Sequence, residues 1–460
     1  MKIYIFKIDF RLLFAVVFLK FLSFPLFAQQ GYTIYHMSKI PQSAYVNTSF
    51  MPENRFYVGL PVISSNYFGL ENSSFKYTDV VQRRDDDSLY VNMDNLLDKL
   101  DETNYLKLNL QVDLLGFGFR SSKNYFSFSA REIIHTELIY PRNLVALFWE
   151  GNAQFIGQRV SLDGLAYNYM SYREYAFGYS RKLSDKLTVG LRAKWLNGME
   201  NIQTVESKLG ITTHEDTYDL TLDGSANIRT SGVSSLIDLD FNYQDRLFRY
   251  SNSGFGLDVG ANYKFSEKLS FSAAVNDIGY IHWKNDIANY VIADSSFTFS
   301  GIHLNELVGE SEDSESAFDK LVDSLSDAFI PLKSEESYRT HLRSFLYLGG
   351  QYQLLPNHSL GLVLHGSFID RNFRPAITAS WVGDFTNWLN ASLTYSVYGG
   401  SYSNLGAGLV VKAGPVQVYG VSDNIFSLIA PLENQNWHFR FGMNLLFGNL
   451  AANGETDNEL

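Results

Sequence analysis

The residues that could do chemistry in this chain are scattered and form no catalytic or metal-binding motif. The nine histidines include no His-x-x-x-His or His-Glu-x-x-His spacing, which a zinc site on a helix would need. The chain has no cysteine, which excludes disulfides, thiolate metal ligands and a cysteine nucleophile. No Gly-x-Ser-x-Gly elbow or phosphate-binding loop occurs, and the charged run RRDDD (83–87) lacks the spacing of a calcium loop. We therefore expect no catalytic residue, no metal and no cofactor.

Charged and polar residues instead alternate with apolar ones along segments that resemble β-strands. In GFGLDVGANYKF (254–265) every second residue is apolar, starting at Phe255, and glycine, Asp258 or another polar residue stands between. The same alternation recurs at 106–112, 187–195 and 437–447. Strands of globular proteins usually run about 5–6 residues, whereas tilted strands that cross a bilayer need about 9–11. The longer segments therefore favour membrane-crossing strands.

The connections between these segments are of two kinds, tight and long. Tight turns are expected at 121–123, 184–185, 266–268, 355–357, 383–385 and 413–414, and long connections at roughly 72–104, 137–168, 200–252, 282–336 and 424–436. If all tight turns lie on one side, the six hairpins supply twelve strands, and 55–63 and 437–447 add the first and the last. An even total lets these two pair and close a barrel. Three more strand-like stretches, 155–166, 217–230 and 289–300, are then assigned to the outer loops.

The composition of the two strand faces indicates which solvent each face meets. One face is apolar, and the other is rich in glycine, asparagine, serine and charge, as suits the lumen of a membrane barrel. We therefore predict an all-β transmembrane barrel of 14 antiparallel strands with short periplasmic turns and long extracellular loops. Short helices are expected in the loops near 93–100, 141–149 and 318–329, either packed on the loop layer or covering the barrel mouth.

The N-terminus has the pattern of a secretory signal peptide, assigned to 1–28. It combines basic residues with the apolar run LLFAVVFL (12–19) and Leu26-Phe27-Ala28 as a cleavage site; Lys20 leaves an uncleaved anchor as the alternative. The remaining domains are a plug segment at 29–54, the barrel at 55–447 and a flexible periplasmic tail at 448–460. The formal charge of −12 excludes a basic nucleic-acid surface.

Two stretches resemble a known group of outer-membrane barrels. GLDVGANYKFSEKLSFSAAVNDIGYIHW (256–283) is similar to a hairpin of the long-chain fatty-acid transporter-like (FadL/PorV) group, and YVNTSFMPENRFYVGLP (45–61) resembles the opening of these and of PorP-like barrels. Thr48 stands where proline is usual. The chain looks closest to an uncharacterised family of this group. The resemblance implies fourteen strands and an N-terminal segment in the lumen. It also implies a sideways exit at a kinked third strand.

The candidate site residues fall into three sets. The plug set contains Tyr32, Tyr35, Ile40, Tyr45, Phe50 and Met51. A lateral-gate kink is expected where alternation breaks in the third strand, 123–136, at Arg131, Glu132 and His135; alternatively the strand simply leaves the membrane there. The polar parity places a third set in the lumen, as a salt-bridged filler or as a polar path: Lys107, Asp113, Glu174, Arg192, Lys194, Asp258, Lys264, His365, His438 and Arg440.

Three functions remain open at this stage. The first is passage of a hydrophobic small molecule across the outer membrane of a Gram-negative bacterium, with both termini periplasmic. The second is an envelope scaffold or type IX secretion accessory barrel with a protein partner, as PorV- and PorP-like relatives imply. The third is a barrel enzyme with a histidine–carboxylate or serine–histidine cluster at the outer rim. The expected partners are outer-membrane lipid and either a hydrophobic ligand or an envelope or secretion protein, and no nucleic acid.

Overall fold

The computed structural model describes residues 31–233, 252–300, 327–369, 372–398 and 401–449. The expected signal peptide, the acidic stretch 310–315, most of the expected helix 318–329 and most of the C-terminal tail lie outside these ranges. Fourteen antiparallel strands form one barrel wall, with the bounds Asn54–Gly59 continued by Asn66–Asn72 (β1), Thr103–Ser121 (β2), Asn124–Pro141 (β3), Ala166–Lys182 (β4), Leu187–Thr213 (β5), Asn252–Lys264 (β6), Leu269–Trp283 (β7), Ser344–Leu355 (β8), His358–Ile369 (β9), Asn372–Thr386 (β10), Leu389–Tyr398 (β11), Ser401–Ala413 (β12), Val416–Ser422 (β13) and Asn436–Asn449 (β14).

The barrel is closed by pairing of the first strand with the last. Each strand pairs with the next along the wall, and β1 pairs with β14 on one side and β2 on the other, as at Phe56 with Phe447 and Phe119. Because every strand has two neighbours, the wall leaves no unpaired edge of the kind that lipid could not solvate. The prediction of a fourteen-stranded antiparallel barrel is confirmed.

The two faces of the wall have the opposite polarity to those of a water-soluble barrel. Large apolar side chains point outward and are exposed, among them Phe117, Phe177, Phe255, Phe271, Leu348, Leu362, Leu393, Leu409 and Phe441. Polar side chains point inward and are buried, among them Ser129, Thr378, Ser392, Thr394, Ser396, Gln417 and Asn444. This inversion is the pattern of a transmembrane barrel, in which lipid contacts the outside and the lumen is polar.

Hydroxyl side chains form several of the tight turns at one end of the barrel. Ser184, Ser266 and Thr386 each accept backbone N–H bonds from the residues two and three positions later, at 3.0–3.3 Å. These local hydrogen bonds stabilise turns in which the chain reverses direction within a few residues. The last of these turns corrects the sequence prediction, because β10 continues through Thr386 and the reversal lies at 387–388 rather than at 383–385.

The loops at the opposite end carry additional strands. Leu220–Ser231 pairs with the extension of β5 beyond Asn201, Asn289–Phe299 pairs with Leu220–Ser231, and Leu332–Ser334 pairs with Asn289–Phe299. Arg159–Ser161 joins the other edge of β5. The smaller pieces are Val81–Arg83 paired with Leu89–Val91, and Tyr338–His341 paired with β7. The three stretches assigned to the outer loops therefore extend the wall or pair beside it.

Short helices in the loops pack mainly on one another. They are Tyr77–Val80 (α1), Met93–Lys99 (α2), Arg142–Glu150 (α3) and Phe426–Ile429 (α4), with 3-10 turns at Thr33–His36, Pro41–Tyr45, Ala153–Phe155 and Pro431–Glu433. Leu96, Leu97 and Leu100 form a buried cluster with Ala146, so α2 packs against α3 in the loop layer, whereas Phe148 and Trp149 of α3 are exposed. None of the helices among the described residues is long and apolar enough to cross a membrane.

Candidate functional site

The N-terminal segment, residues 31–50, lies inside the barrel. Its apolar side chains Ile34, Tyr35, Met37, Ile40 and Val46 form one buried cluster with inward-facing wall residues: Ala274, Tyr347, Val363, Val410, Tyr419 and Val421. Of the residues assigned to the plug, Tyr32, Tyr35 and Ile40 are fully buried, and Tyr45, Phe50 and Met51 are partly buried. The segment reaches the turn end of the barrel, where Lys39 lies 2.9 Å from Asp384.

Polar contacts fix the segment to the wall at several heights. Asp423, just beyond β13, accepts the backbone N–H groups of Gly31 and Thr33 at 3.2 and 2.8 Å. The side-chain amides of Gln42 and Asn444 exchange two hydrogen bonds of 2.9 and 3.0 Å. On the opposite wall, the Asn276 amide donates to the Val46 carbonyl at 2.8 Å. Each bond is worth about 1 kcal/mol, so together they select one seated position of the segment.

Two wall glycines allow the backbone of the segment to approach closely. A Cβ added at Gly190 would lie 2.1 Å from the Thr48 carbonyl oxygen, and one added at Gly260 would lie 2.2 Å from Asn47 Oδ1. Gly260 belongs to the alternating stretch 254–265, where its parity already predicted an inward position. Gly260 of this stretch therefore provides space for the segment.

A network of buried charges joins β3 to β7 beside the segment. Glu174 Oε1 accepts from Arg131 Nη2 at 2.6 Å and from Arg192 Nη2 at 3.1 Å. The Lys194 ammonium lies 3.4 Å from Glu174 Oε2, 2.7 Å from Asp258 Oδ1 and 2.6 Å from Asp277 Oδ1. Removing one member of such a buried set leaves a charge uncompensated, which costs about 3–5 kcal/mol.

A β-bulge brings Asp277 into this network. Two residues of β7, Asn276 and Asp277, stand opposite Asp258 of β6, and Asp277 has a φ of +60°. The Asp277 N–H donates to Asp258 Oδ1 at 2.7 Å. Both aspartates thereby face Lys194. The alternation of apolar residues shifts phase near Asn276 in the sequence, which is typical of a bulge or of the end of a strand, but nothing in the sequence indicates the role of Asp277.

Tyr45 connects the segment to the charge network. Its hydroxyl donates to Asp113 Oδ2 at 2.7 Å, and the guanidinium carbons of Arg131 and Arg192 lie 4.4 and 4.5 Å from the centroid of its ring. Burial, and next the charge of Asp113, keep the pKa of Tyr45 well above its usual value. The hydroxyl therefore stays protonated and able to donate.

The other residues assigned to the lumen have different surroundings. Lys107 lies 3.0 Å from Glu137, and buried His365 packs against Tyr32 with 4.2 Å between ring centroids. His438 Nε2 lies 3.4 Å from Glu71 Oε1. The assignment of Lys264 is wrong, because its side chain is 47% exposed and lies 2.9 Å from Glu267 at a turn. Its parity is correct, but it stands at the end of β6, below the lumen.

The expected kink in the third strand is also wrong. β3 pairs residue by residue with β4 from Asn124 to Ile139, and with β2 along its whole length; the register shift on that side comes from Leu114 of β2. Arg131 points inward to Glu174, and His135 shares a 2.6 Å hydrogen bond with Asn109. Glu132 lies on the other face, 3.1 Å from Arg173. The polar run forms ion pairs across strands within an unbroken ladder.

The irregular part of the wall lies in β1, at residues 60–65. Here β1 advances seven residues, from Gly59 to Asn66, while β2 advances four, from Gly116 to Val112. Pro61 has no N–H to donate, and Val62 has a left-handed φ of +67°. Hydrogen bonds still hold the bulge on both sides, from Val62 N–H to the Asp113 carbonyl and from Met443 N–H to the Ile63 carbonyl, at 2.9 and 2.8 Å.

The sizes of the cavities show that one part of the lumen is filled and another part is open. A cavity of about 780 Å³ lies toward the loop end, lined by polar groups such as His135, Glu137 and Arg343 and by apolar ones such as Met170 and Leu342. A smaller cavity of about 70 Å³ shares His135 and Arg343 and is bounded by the segment at Gly31, Tyr45 and Val46. Beside Tyr45 and Thr48, a third cavity measures only about 10 Å³.

The histidine–carboxylate pair of His438 and Glu71 is enclosed. Among the described residues, no group of three or more histidine and acidic side chains is placed to hold a metal. The closest histidine–carboxylate contact, His438 with Glu71, is buried, and the cavity that His438 lines measures about 10 Å³. A substrate of ordinary size has no room there.

Sequence reasoning missed several residues of this interior. Asn444 stands on the polar parity of 437–447 and could have been found by its position. Gln42 and Asp423 lie in irregular segments, where neither periodicity nor a motif marks them. Glu137 begins an expected long connection and Arg343 falls within a predicted strand, and neither position indicated that both residues line the large cavity.

Several solved outer-membrane barrels are similar to this chain in structure. The chain is similar to the toluene transporter TodX of Pseudomonas putida (9% identity, 92% of this chain and 98% of that chain, TM-score 0.40) and to a FadL homologue of Pseudomonas aeruginosa (10%, 88% and 94%, 0.41). It is also similar to the toluene transporter TbuX of Ralstonia pickettii (9%, 92% and 97%, 0.43). Likeness this distant carries no argument about activity.

Comparison of the sequence with protein families shows which family the chain belongs to. No curated protein matches the chain. The family described as "Family of unknown function (DUF5723)" matches residues 49–423, which include the wall from the end of the N-terminal segment to β13. The chain therefore belongs to the DUF5723 family.

Proposed function

We propose that this protein is a transport barrel of the outer membrane, which passes a small molecule from the loop side to the turn side. The observation that carries the proposal is the contrast between the cavity of about 780 Å³ at the loop end and the N-terminal segment filling the lumen below it. A cavity of this size accommodates a small-molecule ligand. Long loops lie outside and tight turns lie in the periplasm in such barrels, so both ends of the barrel chain are periplasmic.

The N-terminal segment acts as the plug of this barrel. It is held by individual hydrogen bonds, by contacts of the Tyr45 ring with two arginines and by an apolar cluster, and it leaves a cavity of only about 10 Å³ beside Thr48. Transport then requires the segment to move, since the barrel wall is paired all round. The charge network of Glu174 and Lys194 belongs mostly to the wall and stays behind when the segment leaves.

The chemistry of the large cavity favours a cargo with an apolar part. Met170 and Leu342 line this cavity and belong to a buried apolar cluster that continues through Ile133, Tyr172 and Leu196. The sequence resemblance of residues 256–283 to a hairpin of FadL-like barrels likewise implies a hydrophobic cargo. The polar groups on the same cavity can orient such a molecule.

An untargeted transport assay tests the proposal. Vesicles that contain the Gln42→Cys/Asn444→Cys variant, crosslinked or reduced, are incubated with a mixture of bacterial small molecules, and their contents are compared by mass spectrometry. The chain has no cysteine of its own, so only this pair can be crosslinked. We expect at least one compound to accumulate in the reduced vesicles and not in the crosslinked ones. Equal contents would refute transport, and a stable protein complex on native gels would then favour the scaffold function.

A further inference from the structure

The small cavity above the N-terminal segment is lined by an excess of positive charge. Arg131, Arg343 and Arg440 contribute three guanidinium groups, whereas Asp277 is the one acidic residue among its lining residues in the described part of the chain. The Asp277 carboxylate is already held 2.6 Å from Lys194, and Arg131 is held by Glu174. Arg343 and Arg440 are therefore the groups whose charges this cavity leaves least compensated.

Arg440 is buried with neutral partners. Its guanidinium donates to Ser65 Oγ at 2.8 Å and to Gln111 Oε1 at 3.0 Å, and it lies 4.9 Å from the centroid of the Tyr67 ring. Among the described residues no carboxylate lies within ion-pair distance of it. A buried cation without a counter-ion is costly, so a bound anion at this position would be favoured.

Arg343 stands where the two cavities meet. Its Nη2 lies 3.5 Å from Glu137 Oε2, but the other oxygen of Glu137 lies closer to Lys107, at 3.0 Å. One carboxylate thus faces two cations. The Arg343 side chain is 20% exposed, which leaves its guanidinium accessible from the large cavity.

We propose that Arg343 and Arg440 form an oxyanion site at the floor of the large cavity, which takes a doubly charged group, either a phosphate or a pair of carboxylates. Guanidinium groups bind both chemistries by paired, charge-assisted hydrogen bonds. The smaller cavity, about 70 Å³, has room for the charged group, and the larger one holds the remainder of the molecule. This inference rests on the proposed function and adds a doubly charged group to the hydrophobic cargo that the sequence resemblance implies.

Calorimetric titration of the full chain in a neutral detergent tests the site. The probes are inorganic phosphate and succinate, with acetate as the singly charged comparison and chloride at matched ionic strength as the blank. We expect phosphate or succinate to bind saturably and acetate to bind at least about tenfold more weakly, because only a dianion matches two guanidinium groups. Binding by phosphate alone identifies a phosphate ligand, and binding by succinate alone identifies a dicarboxylate. The proposal is overturned if neither phosphate nor succinate binds saturably, or if acetate binds as tightly as the tighter of the two.

Variants of the two arginines assign the binding to this site. Arg343→Gln and Arg440→Gln should each weaken binding at least about tenfold, and Arg440→Lys should restore part of it. Arg159→Gln removes an exposed arginine that pairs with Asp223 outside the barrel and should bind as the native chain does. Arg343→Gln changes a partly exposed side chain, so it keeps the test valid if Arg440→Gln does not fold. Unchanged affinity in Arg343→Gln refutes the site. If no ligand binds while vesicles still accumulate a compound, only this inference falls and the transport proposal stands.

Discussion

Replacing Tyr45 by phenylalanine should loosen the N-terminal segment without changing its shape. The substitution removes the hydroxyl that donates to Asp113 at 2.7 Å and keeps the ring that contacts Arg131 and Arg192. A buried hydrogen bond to a charged group is worth about 1.5–3 kcal/mol. The population in which the segment has left its seat should therefore rise by about tenfold to hundredfold.

A single engineered cysteine measures this population. Ser43 is 2% exposed in the seated segment, and the chain contains no other cysteine, so Ser43→Cys reacts with a maleimide only when the segment moves. When opening and closing are fast, the labelling rate is proportional to the open fraction. Tyr45→Phe in this background should therefore label about tenfold to hundredfold faster.

A matched control separates this bond from a general effect of losing a tyrosine hydroxyl. Tyr32 belongs to the same segment and is more deeply buried than Tyr45, but its hydroxyl has no hydrogen-bond partner among the described residues. Tyr32→Phe should label at the unmodified rate. Equal rates in Tyr45→Phe and the unmodified background would show that the contact with Asp113 does not hold the segment, and the reasoning about the seat would be wrong.

Three other perturbations test the interior. Burial lowers the pKa of His36 to about 4 from its ordinary 6.5, so the unfolded chain takes up a proton first as pH falls. Stability from this residue is thus complete above pH 6.5 and is lost as pH falls towards 4. In urea unfolding, the native chain should lose about 2 kcal/mol more between pH 7 and pH 5 than His36→Gln does, and equal losses would contradict the assignment. Lys194→Met should cost about 3–5 kcal/mol of unfolding free energy, whereas Lys264→Met, at an exposed turn, should change it by less than about 0.5 kcal/mol. Gly260→Ala places a methyl group against the segment and should speed Ser43→Cys labelling about tenfold, whereas Gly350→Ala, whose added Cβ would lie 3.7 Å from its closest neighbour, should not.

The barrel itself was predictable because one physical constraint acts along the whole wall. Lipid outside and a polar lumen inside require apolar and polar residues to alternate with a period of two. The alternation is present in strands far apart in the chain, such as β6 and β11, whose Phe255 and Leu393 both point outward. Turn chemistry was less certain. Gly383-Asp384 looked like the reversal, yet the Thr386 hydroxyl forms it three residues later.

The interior could be predicted only in part because its contacts join residues that are distant in sequence. Parity placed Glu174, Lys194 and Asp258 inward, but it could not show that one ammonium would bind all three carboxylates of the β4, β6 and β7 wall. The polar run that begins at Arg131 interrupts the alternation and therefore suggested a kink. Its ion-pair partners lie on neighbouring strands, and the sequence of one strand does not show which residues of its neighbours it contacts. The wall bulge in β1 had a local signal in Pro61, whose significance emerges only from the pairing on both sides.

The most direct test of the account measures the electrical conductance of the barrel in a planar bilayer, with and without residues 31–50. Both proteins are first checked for the folded barrel by their heat-dependent migration on gels. If the N-terminal segment seals the lumen, the full chain will show little steady conductance, and the shortened chain will show a stable open channel. A full chain as conductive as the shortened one would contradict the claim that this segment is the plug.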